Sequence, residues 1–143
     1  MIYTPLTKKA LKLCFEAHKN QVDKTGLPYV FHPFHLAEQM KDEYSTVCAL
    51  LHDVVEDTEY TFEDLINMGF PNEVIQALKL LTHADDVPYM DYVKALSVNP
   101  IAKAVKIADL THNSDTTRLD VVDEWALKRE DKYKKALEFL NNN

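Results

Sequence analysis

Apolar residues recur along almost the whole chain at the three-to-four-residue spacing of amphipathic helices, and no stretch alternates as a strand does. Thr4 and Pro5 form an N-cap and first-turn pair that opens a helix over 5–22, with Leu6, Ala10, Leu13, Cys14 and Ala17 on its apolar stripe. Gly26 and Pro28 mark DKTGLPY, residues 23–29, as a loop. A second helix is predicted over 32–40, with Pro33 favouring its start, and Ser45 is placed to cap a third. Thr61 to Asp64 has the form of a capping box for a short helix ending at Gly69. Further helices are predicted over 71–81, 89–97, 100–114 (after Asn99-Pro100) and 123–140, with the three closing asparagines as a frayed tail. With two glycines, no internal repeat and no dividing linker, residues 1–143 are expected to form one compact all-α helical bundle.

Within this pattern the segment ALLHDVVEDT, residues 49–58, is unusual. On a helix, Val47, Leu50, Leu51, Val54 and Val55 cover one side, while His52, Asp53, Glu56 and Asp57 gather on the other with only Ala49 among them. A solvated face normally mixes in Lys, Gln or Ser; this one carries only groups that bind metals or move protons. Two further candidates lie elsewhere: His32 in HPFH, and Asp109 in KIADLTHNSD on an otherwise apolar helix. Carboxylates brought within about 4 Å of one another repel by roughly 4 kcal/mol per pair at an effective dielectric near 20. Either these groups do not converge, or some are protonated, or a cation sits among them. Mixed imidazole and carboxylate ligands suit a first-row divalent ion.

Composition narrows the setting. A chain of 143 residues buries a sizeable core without disulfides, and Cys14 and Cys48 share no metal-type spacing, so both read as reduced core thiols of a cytosolic protein. The net charge of −7 argues against a general nucleic-acid or acidic-membrane surface but allows a small phosphorylated ligand. No apolar run reaches the length of a membrane span, and MIYTPLTKK lacks the order of a signal peptide.

Four segments together resemble the HD superfamily of metal-dependent phosphohydrolases, and within it the hydrolase domain of RelA/SpoT-type alarmone enzymes and the small metazoan SpoT homologues. They are KTGLPYVFHP, LLHDVVEDT with an HDxxED pattern, a YxxYV segment at 89–93, and VKIADLTHN, within a motif-bearing core of about 18–118. The resemblance implies His32, His52, Asp53 and Asp109 as metal ligands, with manganese the usual ion. It implies Glu56 and Asp57 as the pair that orients and deprotonates the attacking water, with Asn113 lining a nucleotide pocket and Lys24 meeting phosphate. The implied reaction removes the 3′-diphosphate from guanosine tetra- or pentaphosphate. The 143 residues end before any synthetase domain, so ATP-dependent alarmone synthesis is not expected of them.

The chain also departs from that pattern. Asp23 stands where the family usually has an Arg packed on the guanine base, and Leu110 where it usually has a basic residue. A carboxylate cannot stack as a guanidinium does and repels a polyphosphate. This keeps alive an HD phosphomonoesterase of another nucleotide or dinucleotide phosphate, and a nucleotide-binding HD module without turnover. Plainer readings stand beside the roles: a Lys salt bridge for Asp109, orientation of His52 for Glu56 and Asp57, and a solvated charge for Lys24. His18 reads as a hydrogen-bonded core residue; His35, His83 and His112 as surface or structural; Arg118 and Lys128 as charge at a pocket rim.

Overall fold

The computed structural model describes residues 1–119 and 121–143. In chain order the helices are α1 (Pro5–His18), α2 (Phe31–Glu38), α3 (Glu43–Leu51), the single turn α4 (Val54–Asp57), α5 (Phe62–Asn67), α6 (Asn72–Leu81), α7 (Tyr89–Leu96), α8 (Pro100–Asn113) and α9 (Glu124–Asn142). A short 3₁₀ turn, Thr116–Arg118, lies between α8 and α9. Among the described residues there is no strand beyond one isolated bridge between Val22 and Pro28. None of their helices is long and apolar enough to cross a membrane.

Helix α3 is the axis of the molecule. Every residue from Ser45 to Leu51 is buried, and α1, α2, α6 and α8 pack around it. A helix apolar on all sides finds its free-energy minimum only when surrounded, and burying each of Val47, Leu50 and Leu51 contributes about 1.5–3 kcal/mol. Helix α9 closes the bundle against α7 and α8 through Ala136 and Leu140.

Helix starts follow side-chain chemistry. The Thr4 hydroxyl accepts from the Thr7 amide while Thr7 Oγ1 accepts from the Thr4 amide, and Thr61 and Asp64 repeat that exchange at α5. Asn99 Oδ1 accepts from two amides at the start of α8.

Four local expectations are corrected. Helix α1 stops at His18, because Gln21 turns back onto the His18 carbonyl and the Val22–Pro28 bridge draws the chain into the 23–29 loop. The cap of α3 is Asp42, whose Oδ1 takes both the amide and the hydroxyl of Ser45. Residues 49–58 are not one helix: Asp53 leaves the helical region (φ −110°, ψ 3°), so α3 hands over to α4 at His52-Asp53. The asparagine tail is helical through Asn142, held by buried Leu140 and by Asn143 donating to the Phe139 carbonyl at 2.8 Å.

Replacing the cap, Asp42→Ala, is expected to cost about 1 kcal/mol in urea unfolding, and Ser45→Ala, which keeps the backbone bond, clearly less. Equal losses would return the capping role to Ser45.

Candidate metal centre

The interrupted helix at His52-Asp53 aims both side chains toward the place where α2 and α8 meet α3. His32 (5% exposed), His52 (6%) and Asp109 (7%) come together there, each offering a ligand atom within 4.8 Å of the others. Asp109 Oδ1 lies 2.8 Å from His32 Nε2, 3.6 Å from His52 Nε2 and 3.1 Å from the Asn113 amide that donates to it. Asp53 joins from the edge, its Oδ2 3.1 Å from His52 Nε2. All four residues singled out as ligands therefore converge, three as a tight group and Asp53 beside it.

Each is held from behind. The His52 Nδ1–H donates to the Ala49 carbonyl at 2.7 Å, which puts the lone pair of a neutral ring on Nε2. The Tyr29 hydroxyl donates to Asp53 Oδ2. Lys106 Nζ sits 3.1 Å from Asp109 Oδ2, so the plain reading of Asp109 as half of a buried salt bridge holds for that oxygen, while Oδ1 faces the histidines. His32 Nδ1 is 2.7 Å from His112 Nδ1, and the two rings stack at 10°. The pKa of His112 is lowered to about 4 by burial, then by Arg118 and His32, leaving it neutral and able to accept a proton bond from His32. That assignment frees His32 Nε2 to face inward as a lone pair.

This donor set fits a cation. Buried His52 Nε2 has no hydrogen-bond partner of acceptable geometry, although two carboxylates stand near it. Burial opposes a charged His52, yet the Asp53 and Asp109 carboxylates outweigh it and hold the imidazole well above its ordinary value. Burial likewise opposes a charged Asp109, but Lys106 and the two histidines hold its carboxyl well below the usual range. Lone pairs on nitrogen and oxygen facing one another need a proton or a metal between them, and imidazole with carboxylate is a donor set for divalent first-row ions.

Glu56 and Asp57 keep solvent access and part company. Two recesses flank the centre. The larger, over the 23–29 loop, is bounded by Lys24, Asp57, Asn113, Arg118 and Arg129; the smaller, on the far side of Asp53, by Glu56, His83, Tyr89, Lys106 and Lys132. The two adjacent carboxylates thus open into different recesses. Partial burial, then the Asp53 charge, raises the pKa of each.

Asp23 does not stand as a bare charge. Its Oδ1 accepts from the Thr25 amide and hydroxyl and the Leu27 amide, building the loop around Gly26 (φ +82°), while Oδ2 lies 3.4 Å from Arg118. The repulsion expected of it toward a polyphosphate is correspondingly reduced. Leu110 is fully buried and lines neither recess. Lys24 Nζ lies 3.8 Å above the Trp125 ring at the rim, and Lys128 is on the outer surface beside Glu124. His18 is buried with Nδ1 on Gln21, as expected of a core histidine. Sequence reasoning passed over Tyr29 and Lys106, three residues before His32 and Asp109, and gave His112 no link to His32. A polar side chain one turn from a candidate ligand was the available signal.

No protein-family model matches the chain. Among curated proteins it is similar to a GTP pyrophosphokinase of Streptomyces coelicolor, 34% identical over 146 residues and covering 93% of this chain and 16% of that protein. It is 32% identical over 124 residues to the bifunctional (p)ppGpp synthase/hydrolase SpoT of Escherichia coli, covering 76% of this chain and 18% of SpoT. It is 31% identical over 140 residues to the guanosine-3′,5′-bis(diphosphate) 3′-pyrophosphohydrolase of Aquifex aeolicus, covering 90% of this chain and 19% of that enzyme. The chain thus spans 16–19% of the length of these relatives. Among solved structures, that of a metazoan ortholog of SpoT, described as hydrolysing ppGpp, shares its fold: TM-score 0.75 at 24% identity, covering 98% of this chain and 87% of that one. The chain is therefore a RelA/SpoT homologue over most of its length, with the helical fold of the metazoan SpoT ortholog.

Proposed function

We propose that residues 1–143 act as one HD-type, metal-dependent nucleotide phosphohydrolase that removes the 3′-diphosphate of guanosine tetraphosphate. The observation that carries this reading is the buried His32–His52–Asp109 group with its unpartnered His52 nitrogen. His32, His52, Asp53 and Asp109 would hold the ion, and manganese suits both the donor set and the family resemblance. When bound, such an ion polarises a phosphoryl oxygen and lowers the pKa of water beside it.

The chain's own residues supply the rest. Glu56 and Asp57, each raised in pKa, flank Asp53 from the two recesses and are the candidates to take the proton of an attacking water. Lys24, Arg118 and Arg129 bound the larger recess and can neutralise a nucleotide's phosphates, with Asn113 between that recess and Asp109. In the reaction a water oxygen bonds to the phosphorus on the 3′ oxygen and the P–O3′ bond breaks. The 3′ oxygen gains a proton, leaving a guanosine nucleotide and inorganic pyrophosphate. Buried, unbridged Cys14 and Cys48 accord with a reducing, cytosolic setting. A second reading, hydrolysis of a different nucleotide or dinucleotide phosphate, is favoured by one observation: Asp23 is committed to its loop and to Arg118, and has no face to offer a purine as a free Arg would.

Manganese is expected to raise the melting temperature of the wild type by several degrees, since ligand at a hundredfold over Kd adds about 2.7 kcal/mol. His52→Gln is expected to abolish that increment when compared with its own metal-free baseline. A full increment in the variant would remove His52 from the centre.

Turnover is tested with manganese on guanosine tetraphosphate, nucleoside monophosphates and NADPH. Asp53→Ala is expected to lose metal and activity together. Glu56→Gln is expected to keep metal binding while kcat falls by about two to four orders of magnitude. Wild-type activity in Asp53→Ala would defeat the metal assignment, and no turnover of any nucleotide would favour a binding module.

A further inference from the structure

The smaller recess has a composition that the hydrolytic step alone does not require. Two lysines border it. Lys106 enters from α8, its Nζ ion-paired to Asp109 Oδ2 and 5.9 Å from the Tyr89 ring centroid. Lys132 enters from α9 with Nζ 4.0 Å from the same ring, and makes no ion pair among the described residues. Two ammonium groups gathered at one aromatic ring repel each other unless an anion joins them. The hydroxyls of Tyr89 and Tyr133, also on this wall, have no protein partner among the described residues and remain free to donate.

The two recesses differ in what they can hold. The larger one includes the aliphatic side chains of Val22 and Leu119 beside its cations, a wall suited to a nucleoside. Leu81 and Val105 also border the smaller recess, but both are buried, so the groups that face it are mainly ammonium, phenol, imidazole and carboxylate. It meets the other recess across Asp53, Asn113 and Tyr133. With a divalent ion at the centre, its positive charge and that of the two lysines outweigh Asp53, Glu56 and Asp109. Asp109 marks the division, turning Oδ1 to the histidines and Oδ2 to Lys106.

We infer that the recess bounded by Glu56, Tyr89, Lys106, Lys132 and Tyr133 is a separate anion subsite that holds the 3′-diphosphate as water displaces it from the nucleoside 3′ oxygen, and then the released pyrophosphate. The larger recess keeps the nucleoside end. The inference rests on the hydrolase reading above, and it makes Lys132 a determinant of the size of the phosphoryl group removed: a diphosphate reaches its ammonium, whereas a single phosphate is held at the centre alone.

Inorganic pyrophosphate is titrated calorimetrically into the full chain loaded with manganese, the metal kept in excess of the pyrophosphate. Lys132→Ala, a surface substitution, is expected to weaken binding about tenfold, the value of one charge-assisted hydrogen bond, and Lys132→Arg to stay within about threefold of wild type. Arg129→Ala removes the same charge from the same helix, but in the other recess. It is expected to leave pyrophosphate binding within about threefold and to weaken guanosine diphosphate instead. Pyrophosphate binding that is undetectable in the wild type, unchanged in Lys132→Ala, or lost equally in Arg129→Ala would overturn the subsite. Guanosine tetraphosphate turnover is scored separately. Wild type that binds pyrophosphate through Lys132 without hydrolysing that nucleotide retains the subsite and loses the proposed substrate.

Discussion

Asp109 carries a negative charge into a place from which water is almost wholly removed, and three helices are arranged to keep it there. A bare buried carboxylate costs several kcal/mol and would ordinarily take up a proton. Here Lys106, one turn earlier on α8, takes one oxygen, while the Asn113 amide of α8 donates to the other and His32 Nε2 from α2 stands 2.8 Å from it. His52 at the end of α3 faces the same oxygen from 3.6 Å. The convergence of α2, α3 and α8 is thus both a packing solution around buried α3 and an electrostatic one around Asp109.

That double use accounts for the geometry of the centre. A continuous helix through residues 49–58 would have carried Asp53 onward with the helical twist. The break after Leu51 instead leaves Asp53 beside His52, where the Tyr29 hydroxyl holds it. In the α4 turn that follows, the helical step between neighbours turns Glu56 and Asp57 into different recesses. Every inward-facing group is braced by a partner behind it: Ala49 for His52, His112 for His32, Tyr29 for Asp53, Lys106 for Asp109. Such bracing fixes donor positions before any ligand arrives, which favours binding and catalysis by lowering the cost of ordering.

Much of this was legible in the sequence for a physical reason. Helical periodicity and caps such as Thr4, Thr61 and Asn99 are local properties, so the elements came out nearly as drawn. The absence of Lys, Arg and Gln from one face of 49–58 was a chemical anomaly that needed no structure to see. The end of α1 and the break at Asp53 were not legible, because both are set by contacts with distant residues: the Val22–Pro28 bridge and the pull of Tyr29 on Asp53. The consequence of Asp23 was also hidden, since its partner Arg118 lies 95 residues away. Sequence alone set Asp23 against phosphate; the structure spends that charge on its own loop and on Arg118.

The central claim is that the lone pairs of His32 and His52 and the Asp109 oxygen face one another because a divalent ion belongs between them. Anomalous diffraction at the manganese edge, from crystals grown with the ion, tests it directly. The account predicts a single strong peak bounded by His32 Nε2, His52 Nε2 and Asp109 Oδ1, with Asp53 beside it, at metal–ligand distances of roughly 2.0–2.3 Å. A peak elsewhere, or none at saturating manganese with His52 hydrogen-bonded to its carboxylates, would contradict it.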